Sequence, residues 1–415
     1  MSDFVAQAMA ARREIRKVFA ETPLQKNEHL SAIYEAEIYL KREDLSPVRS
    51  YKIRGAYNAM RKQIEQAGKP GLFVCASAGN HAQGMAFVCK HFGVPGVVFM
   101  PITTPQQKVD KTRAFGGDFI EIRQLGDYFE DTLKAAQGFC EQENAVFLSP
   151  FDDDDVIEGQ ATIAVELMEQ SDEPIDLVVL PVGGGGLSAG ILTYLGAISP
   201  STEFRFVEPL GGASLAAAIR AGEPVTLKKV DSFVDGAAVA RIGERNYEAL
   251  KNIDAGHILA APEDRICTTI VELLNIEGIV LEPAGALAID ALKDLKDDIK
   301  GKRVVCVTSG GNFDFERLPE VKERALKFSG LKKYFILRFP QRPGALKEFL
   351  NILGPDDDIT RFEYLKKSAR NFGSVLIGIE AKDPNDFPSI CSRMEEAGMV
   401  YQDITDNESL SQFLI

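Results

Sequence analysis

Over roughly the first 320 residues, short apolar runs alternate with longer amphipathic stretches. The runs at 71–76, 96–100, 118–122, 177–181, 203–207 and 303–308 are rich in Val, Ile or Phe and end in Gly, Ser, Pro or Asn. Between them, helical spacing covers 80–92, 104–115, 128–143 and 159–169. Apolar strands alternating with helices predict a parallel sheet covered on both faces. Ligands of such sheets bind at the carboxyl ends of the strands, so the Gly- and Ser-rich turns after strands are the first places to inspect.

The pattern changes after about residue 324. An alternating strand covers 332–339, a helix 343–353 with Pro343 in its first turn, strands 359–365 and 374–381, a helix 386–397 and a last strand 400–404. That order, β-α-β-β-α-β, is the ferredoxin-like α+β unit. The expected organisation is therefore an α/β unit over 1–325, two-lobed with the smaller lobe near 53–150, and a small unit over 326–415. A charged helical stretch at 319–330 is expected to join them. An amphipathic helix is expected near the start, over 1–19, and a short helix over 408–415.

Charge narrows the partners. The chain carries 47 Lys and Arg against 61 Asp and Glu, a net charge of −14. Nucleic acid and anionic membranes both need a basic face, so neither is expected as a partner. No run approaches the roughly 20 apolar residues of a membrane span. The six cysteines are scattered without a CxxC pair, which reads as buried free thiols in a reducing cytoplasm. Four widely spaced histidines argue against a metal site, and none is expected. The acidic run Asp152–Asp155 reads as a solvated loop before the 159–169 helix. Four consecutive carboxylates cannot all face one ion.

Four turns carry candidate chemistry. Ser50-Tyr51-Lys52-Ile53-Arg54-Gly55 places a lysine between an aromatic and an aliphatic residue at a helix start. Burial lowers a lysine pKa, and a neutral amine can form a Schiff base. Ser77-Ala78-Gly79-Asn80-His81 follows a strand and opens a helix, so its amides can hold an anion such as a carboxylate; a plain helix cap is the alternative. Gly183-Gly184-Gly185-Gly186-Leu187 lies between a strand and a helix, as a backbone cradle for phosphate would. The same turn satisfies G-x-G-x-x-A at Gly184, Gly186 and Ala189, with Glu208 about 20 residues on, so a nicotinamide dehydrogenase remains a second reading. Thr308-Ser309-Gly310-Gly311-Asn312 ends a strand with a hydroxyl beside two glycines. A lysine, an anion turn, a phosphate cradle and a neutral donor together suit pyridoxal phosphate better than a dinucleotide.

With these motifs in this order, the chain resembles the fold type II pyridoxal-phosphate β-eliminating enzymes. Within them it is similar to the biosynthetic threonine dehydratases (threonine ammonia-lyases). The segments Phe339–Leu346 and Asp358–Tyr364 resemble the C-terminal ACT-like regulatory domain of that family. The resemblance implies that Lys52 holds the cofactor covalently and removes the substrate's α-proton. It implies that Gly183, Gly184, Gly185, Gly186 and the Leu187 amide bind the phosphate. Asn80 would bond the ring oxygen and Ser309 would meet the ring nitrogen. Ser77, Ala78, Gly79, Asn80 and His81 would hold the substrate carboxylate. The substrate would be L-threonine, with L-serine as a second substrate. Isoleucine would inhibit, valine could oppose it, and Arg342, Pro343 and Gly344 would mark the effector turn. A homo-oligomer, dimer or tetramer, is expected. Two positions depart from relatives. Tyr51 stands where phenylalanine is commoner. Ala78 stands where the similar serine racemases carry a proton-donating serine, so racemisation is not expected. Those racemases also bind a cation after the strand ending at Glu208, but here Ser214 replaces their aspartate. An amino-acid sensor without catalysis is the reading from a different class.

Overall fold

The structure is a computed structural model describing residues 2–68, 71–365, 372–407 and 410. Of the helix expected over 408–415, only Leu410 lies within the described residues. The chain forms two compact units. One comprises Met1–Ile266 and Ile276–Asp314, the other Cys267–Asn275 and Phe315–Ile415.

Among the described residues, the first unit holds two sheets. The smaller has the strand order Ile120–Gln124, Gly96–Met100, Phe73–Ala76 and Val146–Phe147, all parallel. The larger runs Leu24–Lys26, Glu37–Arg42, Arg303–Thr308, Leu177–Pro181, Glu203–Pro209 and Ile258–Ala261. Its first edge pair is antiparallel and the other pairs are parallel. The expected α/β architecture is present, and the helix Asn80–Phe92 has the expected bounds.

Four strands escape the apolar pattern: 24–26, 37–42, 146–147 and 258–261. Glu37–Arg42 is the instructive case, because it is an inner strand whose Lys41 is fully buried. A buried charge held by ion pairs hides a core strand from any test of hydrophobic periodicity.

The Lys52–Ala67 helix packs across the buried helix Asp154–Gln170. The crossing is close: a Cβ on Gly159 would lie 2.6 Å from the Arg54 carbonyl oxygen, and one on Gly55 2.3 Å from Gln160 Nε2. Small residues at this crossing hold the turn that carries Lys52. The acidic run is a loop only at Asp152 and Asp153; Asp154 and Asp155 already form the first turn of the helix. Asp153 caps the Asp154 helix by accepting from the Asp155 and Val156 amides. Asp152 accepts from the amides of Glu244 and Arg245, and Asp155 pairs with Lys62. Carboxylates in successive residues thus serve separate helix ends.

The second unit is an antiparallel sheet in the order Asp358–Leu365, Phe372–Glu380, Lys332–Pro340, Val400–Asp403. With the helices Ala345–Leu350 and Asp386–Glu396, this is the ferredoxin-like order expected. Phe335, Leu337, Phe349, Ile377, Phe387 and Ile390 form its core. Pro343 lies before its helix, which starts at Ala345 because Gly344 takes a left-handed φ of 88°. The charged helix Leu318–Phe328 belongs to this unit, where Glu323 accepts from Tyr334 Oη (2.7 Å) and Lys332 Nζ (2.5 Å). Cys75, Cys89, Cys140, Cys267 and Cys306 are buried, Cys391 is half-buried, and none forms a disulfide. Among the described residues, no helix is long and apolar enough to cross a membrane.

Candidate active site

Lys52 opens its helix, so its backbone is fixed where its side chain is still free to leave the helix axis. Nζ donates to the Pro150 carbonyl at 2.7 Å and lies 5.3 Å from the Tyr51 ring centroid and 5.8 Å from that of Phe151. Burial pushes the amine down to about 8, against an upward pull from the Glu282 carboxylate. This is the environment that leaves an amine partly neutral near physiological pH.

The asparagine turn stands beside it: a Cβ on Gly84 would lie 3.2 Å from the Ile53 amide nitrogen. Gly79 caps the Asn80–Phe92 helix without a side-chain bond, and the Gly79 amide donates to Ser77 Oγ at 3.2 Å. Nothing lies within 4 Å of a Cβ built on Gly79, so the face of this turn is open. Ser77, Ala78, Gly79 and Asn80 are half-buried and His81 is buried. His81 Nε2 bonds to the Leu148 carbonyl oxygen at 3.0 Å. Burial first, and then the Lys52 charge, push the imidazole down to about 3. It is a neutral structural histidine, and its backbone amide is what the turn can offer a carboxylate.

The glycine turn follows the strand Leu177–Pro181. Gly185 has φ 91°, and a Cβ there would lie 2.9 Å from Asn246 Cβ. A Cβ on Gly184 would lie 2.3 Å from the Phe151 ring. Phe151 therefore touches both the glycine turn and Lys52. The Ala189 amide makes the first i→i−4 bond, to Gly185 O (2.8 Å), so the amides of Gly186, Leu187 and Ser188 precede the helical ladder. These are the donors a phosphate takes at a helix N-terminus. Asn246 braces the turn from behind, donating to Gly184 O (2.6 Å) and Phe151 O (3.1 Å).

Gly185→Ala tests the cradle. Left-handed strain costs about 1–2 kcal/mol, and overlap with Asn246 about 1–3 kcal/mol more. Titrating the apoenzyme with cofactor is expected to show affinity weakened roughly tenfold or more. Unchanged affinity would count against this turn as the phosphate site.

Ser309 ends the strand Arg303–Thr308, and its buried Oγ donates to Ala284 O at 3.1 Å. A hydroxyl has one proton, so giving it to a ring nitrogen means turning away from Ala284. Ser309 is tied to the lysine turn through its own carbonyl, which accepts from the Tyr51 amide at 3.1 Å. Glu208 is spent elsewhere. Its two carboxylate oxygens accept from the Leu215 (2.6 Å) and Ala216 (2.9 Å) amides and cap the helix Ser214–Ala221. Burial pushes this carboxyl up to about 7 against those bonds. The acid that a dinucleotide ribose would need is thus already engaged, and the dehydrogenase reading loses its second feature. Among the described residues, no group of three or more His, Cys, Asp or Glu could hold a metal ion.

In the second unit, the turn Arg342–Gly344, expected from sequence to take the effector, is exposed and closed by an ion pair. Arg342 donates to both oxygens of Glu348, at 2.8 and 2.6 Å. Four residues of the site were not singled out by sequence. Phe151, Asn246 and Glu282 lie outside every motif, and Asn312 lay in one without a role. Glu282 stands directly before Pro283, which opens an apolar helix. A carboxylate in that setting is a signal of burial with purpose. The site as a whole fits a phosphorylated aromatic aldehyde: a lowered amine, a glycine cradle in which a Cβ would meet Phe151 or Asn246, and a buried hydroxyl.

The pyridoxal-phosphate dependent enzyme family matches residues 15–310, and the C-terminal regulatory domain of threonine dehydratase matches 323–414. The biosynthetic L-threonine dehydratase IlvA of Bacillus subtilis (strain 168) is 50% identical over 412 residues, 99% of this chain and 97% of that protein. That of Lactococcus lactis subsp. lactis (strain IL1403) is 45% identical over 405 residues, 97% of each. The processed form of threonine deaminase isoform 2 from Solanum lycopersicum is a structural neighbour with TM-score 0.72 and 36% identity, covering 78% of this chain and 94% of that one. The chain belongs to the pyridoxal-phosphate-dependent enzymes and, within them, to the biosynthetic threonine dehydratases that carry a C-terminal regulatory domain.

Proposed function

We propose that the chain converts L-threonine to 2-oxobutanoate and ammonia, the entry step of isoleucine biosynthesis, in the cytoplasm. The observation that carries this reading is the half-buried Lys52 amine over the Phe151 ring, which itself packs on the glycine turn, beside an open asparagine turn. Bound pyridoxal phosphate supplies the carbonyl that takes the substrate amine and the ring that accepts electrons from the broken Cα–H bond. Lys52 Nζ, once released, takes the α-proton as general base. The amides at Ala78–His81, with Ser77 and Asn80, hold the carboxylate and so fix which Cα substituent faces the lysine. The β-hydroxyl then takes up a proton and leaves as water, and the released enamine, 2-aminobut-2-enoate, tautomerises to its imine and is hydrolysed by one water to 2-oxobutanoate and ammonia. Ala78 has no ionisable group to return a proton from the opposite face, so elimination is favoured over racemisation. L-Serine offers the same β-hydroxyl and is a second substrate.

The C-terminal unit is the place for feedback by isoleucine, with valine opposing it, at the Arg342–Gly344 turn. Exposed Phe362, Tyr364, Phe372 and Val400 on its strands support assembly as a homo-oligomer, a dimer or tetramer. The experiment is product analysis with threonine and with serine, each with and without isoleucine. Release of 2-oxobutanoate from threonine supports the reading, and no 2-oxo acid from either substrate overturns it. In the full chain, Arg342→Ala is expected to raise the isoleucine concentration for half-inhibition by about tenfold or more. Uninhibited turnover is expected to stay the same. Inhibition identical to wild type would place the effector elsewhere.

A further inference from the structure

Glu282 is a buried carboxyl at the site, and the reaction above gives it no work. Its Oε1 accepts from Asn80 Nδ2 at 2.6 Å. At the other end of the same amide, Asn80 Oδ1 accepts from Asn312 Nδ2 at 2.7 Å, and Asn312 is itself anchored on the Val48 carbonyl at 2.9 Å. The Asn80 amide is therefore clamped at both ends. A flipped amide would set its oxygen against the carboxylate and its N–H against the Asn312 N–H. The backbone makes room for this clamp. A Cβ on Gly310 would lie 2.1 Å from Glu282 Oε1 and 3.3 Å from Asn80 Nδ2, so no larger residue fits there without displacing the pair.

We propose that Glu282 is the positioning residue for Asn80: it holds one Nδ2 proton so that the second is presented in a fixed direction to the cofactor and substrate. The proposal rests on the reading that Asn80 contacts them. It adds that the direction is set from Glu282, whose nearest partner in sequence at this clamp is 30 residues away, Asn312.

The charged groups facing Glu282 come from several elements. They are Asp235, Lys108 and Lys111 of the helix Gln106–Gly116, and Tyr51 and Lys52 at the lysine turn. Lys108 is itself paired with Asp235. Burial first, and then Asp235, push the carboxyl up to about 7; the Asn80 bond, Lys108 and Lys111 pull it back. A bond to a carboxylate is about twice as strong as one to a neutral acceptor. The clamp is therefore tight above that pH and loosens as the carboxyl takes a proton below it.

The test uses the full-length holoenzyme and the variants Glu282→Gln and Glu282→Ala. Glutamine keeps an acceptor oxygen but cannot titrate; alanine removes the clamp. Glu282→Gln is expected to bind cofactor within about threefold of wild type, and Glu282→Ala roughly tenfold or more weakly. The visible absorption of the bound cofactor is expected to change with pH about a midpoint near 7 in wild type and to lose that transition in Glu282→Gln. Retention of the same midpoint in Glu282→Gln overturns the proposal, as does wild-type affinity in Glu282→Ala. Should the alanine variant not fold, the glutamine titration decides alone. These readouts need no turnover. A wild-type chain that binds cofactor but leaves threonine unchanged would overturn the reaction assigned above and leave the positioning role standing on its own data.

Discussion

Lys52→Ala is expected to lower threonine deamination by about 10⁴-fold or more, since it removes both the covalent anchor and the general base. The measurement is 2-oxobutanoate release by the purified variant. The protein should also lose the visible band that borohydride bleaches in wild type. An unchanged spectrum and rate would remove Lys52 from the site. The environment gives the reason for so large an effect. With the amine pushed down to about 8, about a tenth of free Lys52 is neutral at pH 7, against about one in 2,500 for an ordinary lysine. Below about 8 the fraction able to act as nucleophile or base falls about tenfold per pH unit. Cofactor capture by the apoenzyme is therefore expected to slow on the acid side. Arginine at 52 does not rescue, because a guanidinium stays charged.

Arg54→Ala is expected to cost about 3–5 kcal/mol of stability, because it leaves buried carboxylates without their counter-charge. Arg54 is fully buried two residues after Lys52. Its guanidinium makes two forks: Nε and Nη2 to Glu43 (2.8 and 2.9 Å), and Nη1 and Nη2 to Glu166 (2.8 Å each). Lys41 completes the cluster. Its three donors go to Glu166 Oε2 (2.6 Å), Thr22 O (2.7 Å) and Gln170 Oε1 (2.9 Å). Burial alone would raise the Glu166 carboxyl, but Arg54 and then Lys41 outweigh it and hold that pKa low. Two cations and two anions thus close on one another, and removing one unbalances the rest. Thermal unfolding should drop by on the order of 10 °C. Arg54→Lys should recover only part, since an ammonium cannot reproduce two planar forks. A loss under about 1 kcal/mol would show that water reaches the cluster. Because Arg54 and Lys52 share the first turn of one helix, partial unpinning should also weaken cofactor binding.

The motifs legible in the sequence are those made by neighbours along the chain. Lys52 opens a helix, Asn80 begins another, and the Gly183–Gly186 run lies between a strand and a helix, all as the residue types required. The strand Glu37–Arg42 was not legible, because Lys41 and Arg42 are buried in ion pairs and look like surface residues in any hydropathy pattern. The same local logic misplaces Pro343. Its ring suits a first helical turn, but the left-handed Gly344 that follows delays the helix to Ala345.

The alternation of strands and helices, the ferredoxin-like order of the C-terminal unit and the four candidate turns are all readable from the residues alone. Local spacing reports burial and backbone freedom within one element, and these features depend on nothing more. Stacking of the layers is what joins Lys52 to the glycine turn through Phe151, braces that turn with Asn246, and sets Glu282 and Asn312 on the two ends of Asn80. The same stacking engages Glu208 as a helix cap. Each of these is a hydrogen bond or ring contact made at a few ångströms by side chains from separate elements. Such a contact exists only once the layers are stacked, and no periodicity of 2 or 3.6 residues records it.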